Sequence, residues 1–204
     1  MVGRAVWRRL EESGYVNLTG TSSAELDLRN QEQVNDFMAT EKPDVVILAA
    51  KKVEGILDNN QHPYTVLYEN LTMQGNLIEA SRLNKVRQLI YIANTSVYPV
   101  ECPLPMKEEC VFDGALDTTN QWYGLAKRAG LKLCESIRRQ YKCNYISLIP
   151  PYLYGPYDRF AHAFRVVPAM MRRFHQAAEE GKDVTIWGSG RCRREFLYVG
   201  DLAD

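Results

Sequence analysis

The chain has 204 residues, 46% of them hydrophobic, and its 25 Lys+Arg balance 25 Asp+Glu to a formal net charge of zero. This is ordinary globular composition, and the balanced charge excludes the bulk basic field expected of a nucleic-acid binder. No apolar run reaches membrane-span length, and the start of the chain lacks the apolar stretch of a signal peptide.

Taken in chain order, helical and strand patterns alternate. Val2, Ala5, Val6 and Leu10 share a helical face, and Gly14 stops that helix. A weak strand follows from Val16 to Leu18. Gln31 to Thr40 reads as a helix with Val34 and Phe37 on its inner face. Pro43 opens Asp44 to Ala50, a continuous apolar run typical of a buried parallel strand. A long helix from Tyr64 to Arg82 leads to the strand Gln88 to Ala93. Another pair follows, with a helix at Gln121 to Tyr141 and a strand at Tyr145 to Ile149. The last pair is a helix at Pro168 to Glu180 and a strand at Val184 to Trp187. This alternation predicts an α/β fold built on a Rossmann-type, doubly wound parallel sheet. A Rossmann sheet ordinarily begins with a strand and a glycine-rich turn, whereas this sequence opens on a helix. The sheet is therefore expected to be truncated, and these 204 residues are expected to bind a dinucleotide weakly.

Five cysteines, Cys102, Cys110, Cys134, Cys143 and Cys192, form no CxxC spacing. An odd number without that spacing predicts reduced thiols in a cytoplasmic protein, with neither a disulfide framework nor a metal site.

The sharpest chemical signal is Tyr123-Gly124-Leu125-Ala126-Lys127. A separation of four puts phenol and ammonium on one helical face. A nearby ammonium favours the phenolate, which makes the phenol a workable proton donor or acceptor. Taken alone, the same spacing also arises on ordinary helices. The pair follows a predicted strand ending in Asn94-Thr95-Ser96-Val97-Tyr98-Pro99, and ligands bind at the carboxyl ends of parallel strands. Those polar residues also suit a plain turn.

The ordered set of these motifs carries a resemblance. It comprises Met1-Val2-Gly3, Leu48-Ala49-Ala50-Lys51-Lys52-Val53-Glu54-Gly55-Ile56, Tyr68-Glu69-Asn70, Asn94 to Pro99 and Tyr123 to Lys127. It continues through Leu153-Tyr154-Gly155-Pro156, Val167 to Phe174 and Trp187-Gly188-Ser189-Gly190. Together they resemble the GDP-L-fucose synthase family of extended short-chain dehydrogenase/reductases, over essentially the whole chain. The resemblance implies a dinucleotide-binding domain at residues 1–150 that lacks its first strand, and part of a smaller substrate-binding lobe at 151–204. It implies reduction of a GDP-linked 4-keto-6-deoxy sugar at C4 with NADPH, coupled to epimerisation at C3 and C5, in a cytoplasmic homodimer. Tyr123 would give the proton to the C4 oxygen, and Lys127 would hold the nicotinamide ribose. Gly3 would remain from the pyrophosphate turn, Asp27 would face the adenine end of the cofactor, and Leu48, Ala49 and Ala50 would line it. Arg173, Trp187 and Arg194 would hold the GDP group, since guanidinium forks pair with diphosphate oxygens. Without the resemblance, Arg173 reads as a solvated helix residue and Trp187 as a core aromatic.

The sequence departs from that family where the chemistry lies. Asn94 stands where the family has a Ser or Thr that binds the substrate carbonyl, with Thr95 as a neighbouring substitute. Ser96 stands where it has the epimerase cysteine. A hydroxyl is too weak an acid to replace that thiol without activation. Arg165 stands where it has a second, histidine acid/base, and His162 lies three residues early. Cys102 lies near the same loop. These changes raise the alternative of C4 reduction without epimerisation, or of a non-catalytic NAD(P)-binding paralogue. Intact Tyr123 and Lys127 count against the latter. A 4,6-dehydratase would need an acidic pair after Thr95, and Ser96-Val97 stand there instead. The segment Leu18 to Ser23 offers hydroxyls in place of the family's arginines for the NADP 2′-phosphate, which leaves NAD open as the cofactor.

Overall fold

The computed structural model describes residues 1–52, 56–158, 166–186, 188–191 and 193–204, with backbone alone at 56–58. The chain divides into two compact units, Asn17–Pro150 and a second made of Met1–Val16 with Pro151–Asp204.

The first unit is a three-stranded parallel sheet with crossover helices. Strands β1 (Val45–Leu48), β2 (Gln88–Ile92) and β3 (Asn144–Leu148) lie in the order β1-β2-β3. The register sets Val46 beside Leu89 and Leu89 beside Tyr145. Parallel neighbours need a crossover, and helices α4 (Pro63–Leu83) and α5 (Gln121–Tyr141) supply the two that join β1 to β2 and β2 to β3. Helix α2 (Gln31–Glu41) packs on α4, α4 packs on α5, and a short helix α3 (Ile56–Gln61) precedes α4. Local chemistry sets several ends. The Asn30 side chain accepts from Gln33 N at 3.1 Å to cap α2, Pro63 opens α4, and Lys142 ends α5 in the left-handed region. Val34, Met38, Leu48, Ile78, Leu89, Tyr91, Cys134 and Tyr145 fill the core between sheet and helices. Every helix and strand expected between 31 and 149 is present, with no end moved by more than two residues.

The expected strand from Val16 to Leu18 does not form. Among the described residues they pair with no strand, and Val16 is 89% exposed. A strand needs a partner for its backbone groups, and none lies beside this segment among the described residues.

The second unit holds α1 (Val2–Glu12), β4 (Tyr152–Tyr154), α6 (Val166–Glu180), β5 (Phe196–Tyr198) and α7 (Val199–Ala203). Strands β4 and β5 pair in parallel, with Tyr152 opposite Phe196 and Tyr154 opposite Tyr198 at ring-centroid separations of 6.0 and 5.8 Å. Helix α1 packs against α7. The Arg9 guanidinium pairs with Asp204 at 2.5 Å, and the Arg4 guanidinium lies 4.9 Å from the Tyr157 ring centroid. Gly155 has a φ of +144° and lies against Val199, where a Cβ would approach to 2.6 Å, so only glycine fits that bend. Val184, Thr185 and Ile186 join no strand, contrary to the sequence pattern. Ile186 is exposed, so its apolar character reflects no sheet face.

Candidate active site

The site grows from the carboxyl ends of β1 and β2 and from the first turns of α5. Strand β2 ends at Ile92, and the chain then turns through a short 3-10 segment, Thr95–Val97. Helix α5 comes down directly on this turn. A Cβ on Gly124 would lie 2.5 Å from the Ser96 carbonyl oxygen, so a side chain there would push the helix away. Arg128, one turn further on, fastens the contact: its Nε donates to the Val97 carbonyl at 2.8 Å and its Nη1 to the Gly114 carbonyl at 3.0 Å.

This packing buries both members of the expected pair. Tyr123 is 2% exposed and Lys127 is 3% exposed. Lys127 Nζ donates to the Ile92 carbonyl at 3.0 Å and lies 5.9 Å from the Tyr123 ring centroid and 4.7 Å from that of Tyr91. Burial, and then the charge of Lys51, push the Lys127 ammonium down to about 7. Beneath it, the Tyr91 hydroxyl donates to Gln74 Oε1 at 2.6 Å, and Gln74 Nε2 donates to the Ala126 carbonyl at 2.7 Å. Burial raises Tyr91 far above the ordinary phenol range, so it stays neutral under Lys127.

Asn94 and Ser96 come to the same strand end, both half-buried, and Ser96 Oγ donates to Asn94 Oδ1 at 2.6 Å. The serine that replaces the expected thiol is thus committed to the amide beside it. At the end of β1, Leu48 is buried, Ala49 half-buried and Ala50 exposed. The loop that follows is clamped by buried Asn70 of α4. Its Oδ1 accepts from Lys52 N at 3.0 Å, and its Nδ2 donates to the Lys52 carbonyl at 2.8 Å. Lys51, beside that clamp, places its ammonium 5.9 Å from the Tyr123 ring centroid.

Asp27 lies elsewhere in the same unit. Its Oδ1 accepts from Arg29 N and Nε, each at 2.9 Å, and its Oδ2 accepts from Arg29 Nη2 at 2.8 Å. These bonds hold the Asp27 carboxyl below the usual carboxylate range. Arg29 Nη1 also donates to Glu69 Oε1 at 2.8 Å. Two open concavities of about 750 and 430 Å³ flank Asp27, and neither is lined by Tyr123. Hydroxyls of the 18–23 segment already serve carboxylates: Thr19 Oγ1 donates to Glu41 at 3.0 Å and Ser22 Oγ to Glu25 at 2.8 Å.

The remaining expected residues belong to the second unit. Gly3 lies in the first turn of α1 with nothing within 4 Å of a built Cβ, Arg173 is half-buried on α6, and Arg194 is exposed, its Nη1 donating to the Arg193 carbonyl at 2.8 Å. Trp187, His162 and Arg165 lie outside the described residues. Three positions escaped the sequence reading. Lys51 and Asn70 sat inside quoted motifs without a role. Asn59, whose Nδ2 donates to Asn120 Oδ1 at 2.7 Å just before α5, lay in a polar run without periodicity. Among the described residues, no helix is long and apolar enough to cross a membrane, and no cluster of three or more His, Cys, Asp or Glu could hold a metal.

A Tyr–Lys pair on a crossover helix, set against the ends of parallel strands, defines a short-chain dehydrogenase/reductase-type α/β protein. The chain belongs to the NAD dependent epimerase/dehydratase family, whose model matches residues 1–204. It is 44% identical over 205 residues to GDP-L-fucose synthase of Escherichia coli (strain K12), covering 100% of this chain and 64% of that protein. It is 43% identical over 206 residues to GDP-L-fucose synthase 1 of Arabidopsis thaliana, again with 100% and 64% covered. Among solved structures, MlghC, a GDP-mannoheptose C4 reductase from Campylobacter jejuni with NADP bound, superposes with a TM-score of 0.91 at 38% identity. That match covers 99% of this chain and 67% of the reductase. The chain thus spans just under two thirds of the length of the curated relatives.

Proposed function

We propose that this chain carries the reducing centre of a GDP-L-fucose synthase-like enzyme, which reduces the C4 carbonyl of a GDP-linked 4-keto-6-deoxy sugar. The observation that carries the reading is the buried Tyr123–Lys127 pair, with Lys127 Nζ anchored on the Ile92 carbonyl at 3.0 Å. An ammonium has three donors, and the one given to Ile92 fixes its direction while others remain for ribose hydroxyls. A dinucleotide therefore fits this end of the sheet, and Asp27 with Arg29 suits its adenosine end. Bound there, a reduced nicotinamide supplies the hydride. Tyr123 gives its phenolic proton to the carbonyl oxygen as the alcohol forms, and Lys127 stabilises the phenolate left behind. Asn94 can donate its amide N–H to the carbonyl oxygen in place of a hydroxyl.

NADP is the cofactor we favour. MlghC holds it in a structure of the same fold, and Arg29 supplies a cation beside Asp27. Glu25 and Glu41, which take the hydroxyls of Ser22 and Thr19, favour NAD instead, so the two cofactors should be compared directly. Arg173, Trp187 and Arg194 are the candidates for the GDP group. A homodimer in the cytoplasm fits the same reading, with exposed Tyr64, Tyr68 and Leu71 on α4 and Trp122 and Leu125 on α5 as apolar contact residues.

The Ser96–Asn94 hydrogen bond favours a second reading, C4 reduction without epimerisation at C3 and C5, because the group that would move the sugar protons is a bonded hydroxyl. Incubation of the chain with GDP-4-keto-6-deoxy-D-mannose and saturating NADPH, with product stereochemistry read by NMR, tests both. Cofactor oxidation with a 4-hydroxy product supports the reductase, the C3 and C5 configurations separate the two forms, and no turnover overturns both.

A further inference from the structure

Beyond the pair on α5, a second ammonium shares Tyr123. Lys51 comes from the loop after β1 and lies 5.9 Å from the Tyr123 ring centroid, the same separation as Lys127, which shares α5 with Tyr123. The backbone next to it is not free to drift: buried Asn70 holds both the N–H and the carbonyl of Lys52. The sequence therefore spends a buried amide on fixing the segment that presents Lys51. Unlike Lys127, Lys51 is exposed, so a charge there carries little desolvation cost.

We propose that Lys51 is a positioning residue of the reducing centre, whose ammonium stabilises the negative charge that Tyr123 carries after its phenolic proton has left. This rests on the reading of Tyr123 as the proton donor. In that step the carbonyl carbon gains a hydride and is reduced, the nicotinamide is oxidised, and the carbonyl oxygen takes the Tyr123 proton. The phenolate then regains a proton from solvent. Among the described residues, the charged or titratable groups placed against Tyr123 include Lys127 on α5, Lys51 after β1 and Tyr91 on β2, the last held neutral by burial. Two cations thus oppose one developing anion. Lys51 also presses on Lys127 through like-charge repulsion, so the two lysines differ in setting: Lys127 is buried and its ammonium is pushed down, while Lys51 is exposed.

A unit charge about 6 Å away, screened by solvent on one side, moves a titration by about one pH unit. The test uses two readouts. The near-ultraviolet tyrosinate titration of the wild type minus that of Tyr123→Phe isolates Tyr123, and the same difference is taken in Lys51→Met and Lys51→Arg backgrounds. Tyr123 is expected to titrate about one pH unit higher with Met and at the wild-type position with Arg. In the pH profile of kcat for ketone reduction, the alkaline limb should move up by a similar amount in Lys51→Met, with KM for the sugar unchanged. An unmoved Tyr123 titration overturns the inference, as does a raised KM with an unmoved limb, which would make Lys51 a plain ligand contact. If the wild type reduces nothing, the reductase reading fails, while the tyrosinate difference still decides the Lys51–Tyr123 coupling.

Discussion

The Tyr91 hydroxyl occupies the space where a side chain on residue 130 would begin: a Cβ built on Gly130 would sit 2.3 Å from it. This contact lets α5 lie close over β2, so that Lys127 reaches Ile92 and Tyr91 reaches Gln74. Gly130→Ala should destabilise the chain by about 1–3 kcal/mol, the usual result of overpacking a filled core. Gly75 on α4 is the matched control, since nothing lies within 4 Å of its built Cβ. Gly75→Ala should stabilise by roughly 0.5–1 kcal/mol through helix propensity. Urea unfolding of the two variants checks both signs, and equal effects would refute the packing argument.

The buried Lys127 should make stability depend on pH. Its folded-state pKa is depressed to about 7, below the ordinary lysine value of 10.5. Between those values the unfolded chain holds a proton that the folded chain has released, so this group makes stability rise as pH rises through that window. Below it both states are protonated, and the full cost of a buried charge is present. Lys127→Met removes the group from this balance. Between pH 7 and 9, wild type should gain on the order of 2 kcal/mol relative to the variant. Parallel denaturation curves across that range would show that Lys127 is not desolvated as described.

Asn70 supports the loop that bears Lys51 and Lys52. Asn70→Ala removes an acceptor and two donors at once, leaving the Lys52 backbone and the Val66 carbonyl without this partner. A loss of about 2–3 kcal/mol is expected, with kcat falling further than stability explains because the loop no longer presents Lys51. Asn70→Asp keeps the acceptor and should retain the Lys52 N–H contact while losing the carbonyl one. Thermal unfolding beside kcat separates the two effects.

Ser96 offers a gain-of-function test. With a hydroxyl bonded to Asn94, exchange of sugar protons with solvent should be slow. Ser96→Cys supplies a thiol, which ionises within reach of neutral pH, and should raise deuterium incorporation at C3 or C5 of the GDP-4-keto sugar by about tenfold or more. Rapid incorporation by the wild type would remove the reading of reduction alone.

Much of the first unit was legible because its signals are local and repeated. The apolar run before Ala49 and Ala50, the Tyr123–Lys127 spacing and the long α5 pattern all describe one element each. The two-stranded sheet of Tyr152–Tyr154 with Phe196–Tyr198 was not legible, because three-residue strands are too short for a period and their partners are over forty residues apart. Val16 to Leu18 and Val184 to Ile186 failed in the opposite way: both carry strand-forming residues, but strand formation needs a neighbour that sequence pattern does not reveal. At the site, the Tyr–Lys pair was visible in the spacing. Lys51 was not, since its role comes from a loop folded across to another element and held by Asn70.

Reduction at C4 with Tyr123 as the proton donor is the central claim, and a single comparison reaches it most directly. NADPH oxidation by wild type and Tyr123→Phe is followed with GDP-4-keto-6-deoxy-D-mannose under identical saturating conditions, with circular dichroism confirming that both are folded. General acid catalysis by a positioned side chain contributes roughly 10²–10⁴-fold. Turnover by the wild type and a loss of that order in the phenylalanine variant are expected, with little change in KM. Equal rates in the two proteins would contradict the claim.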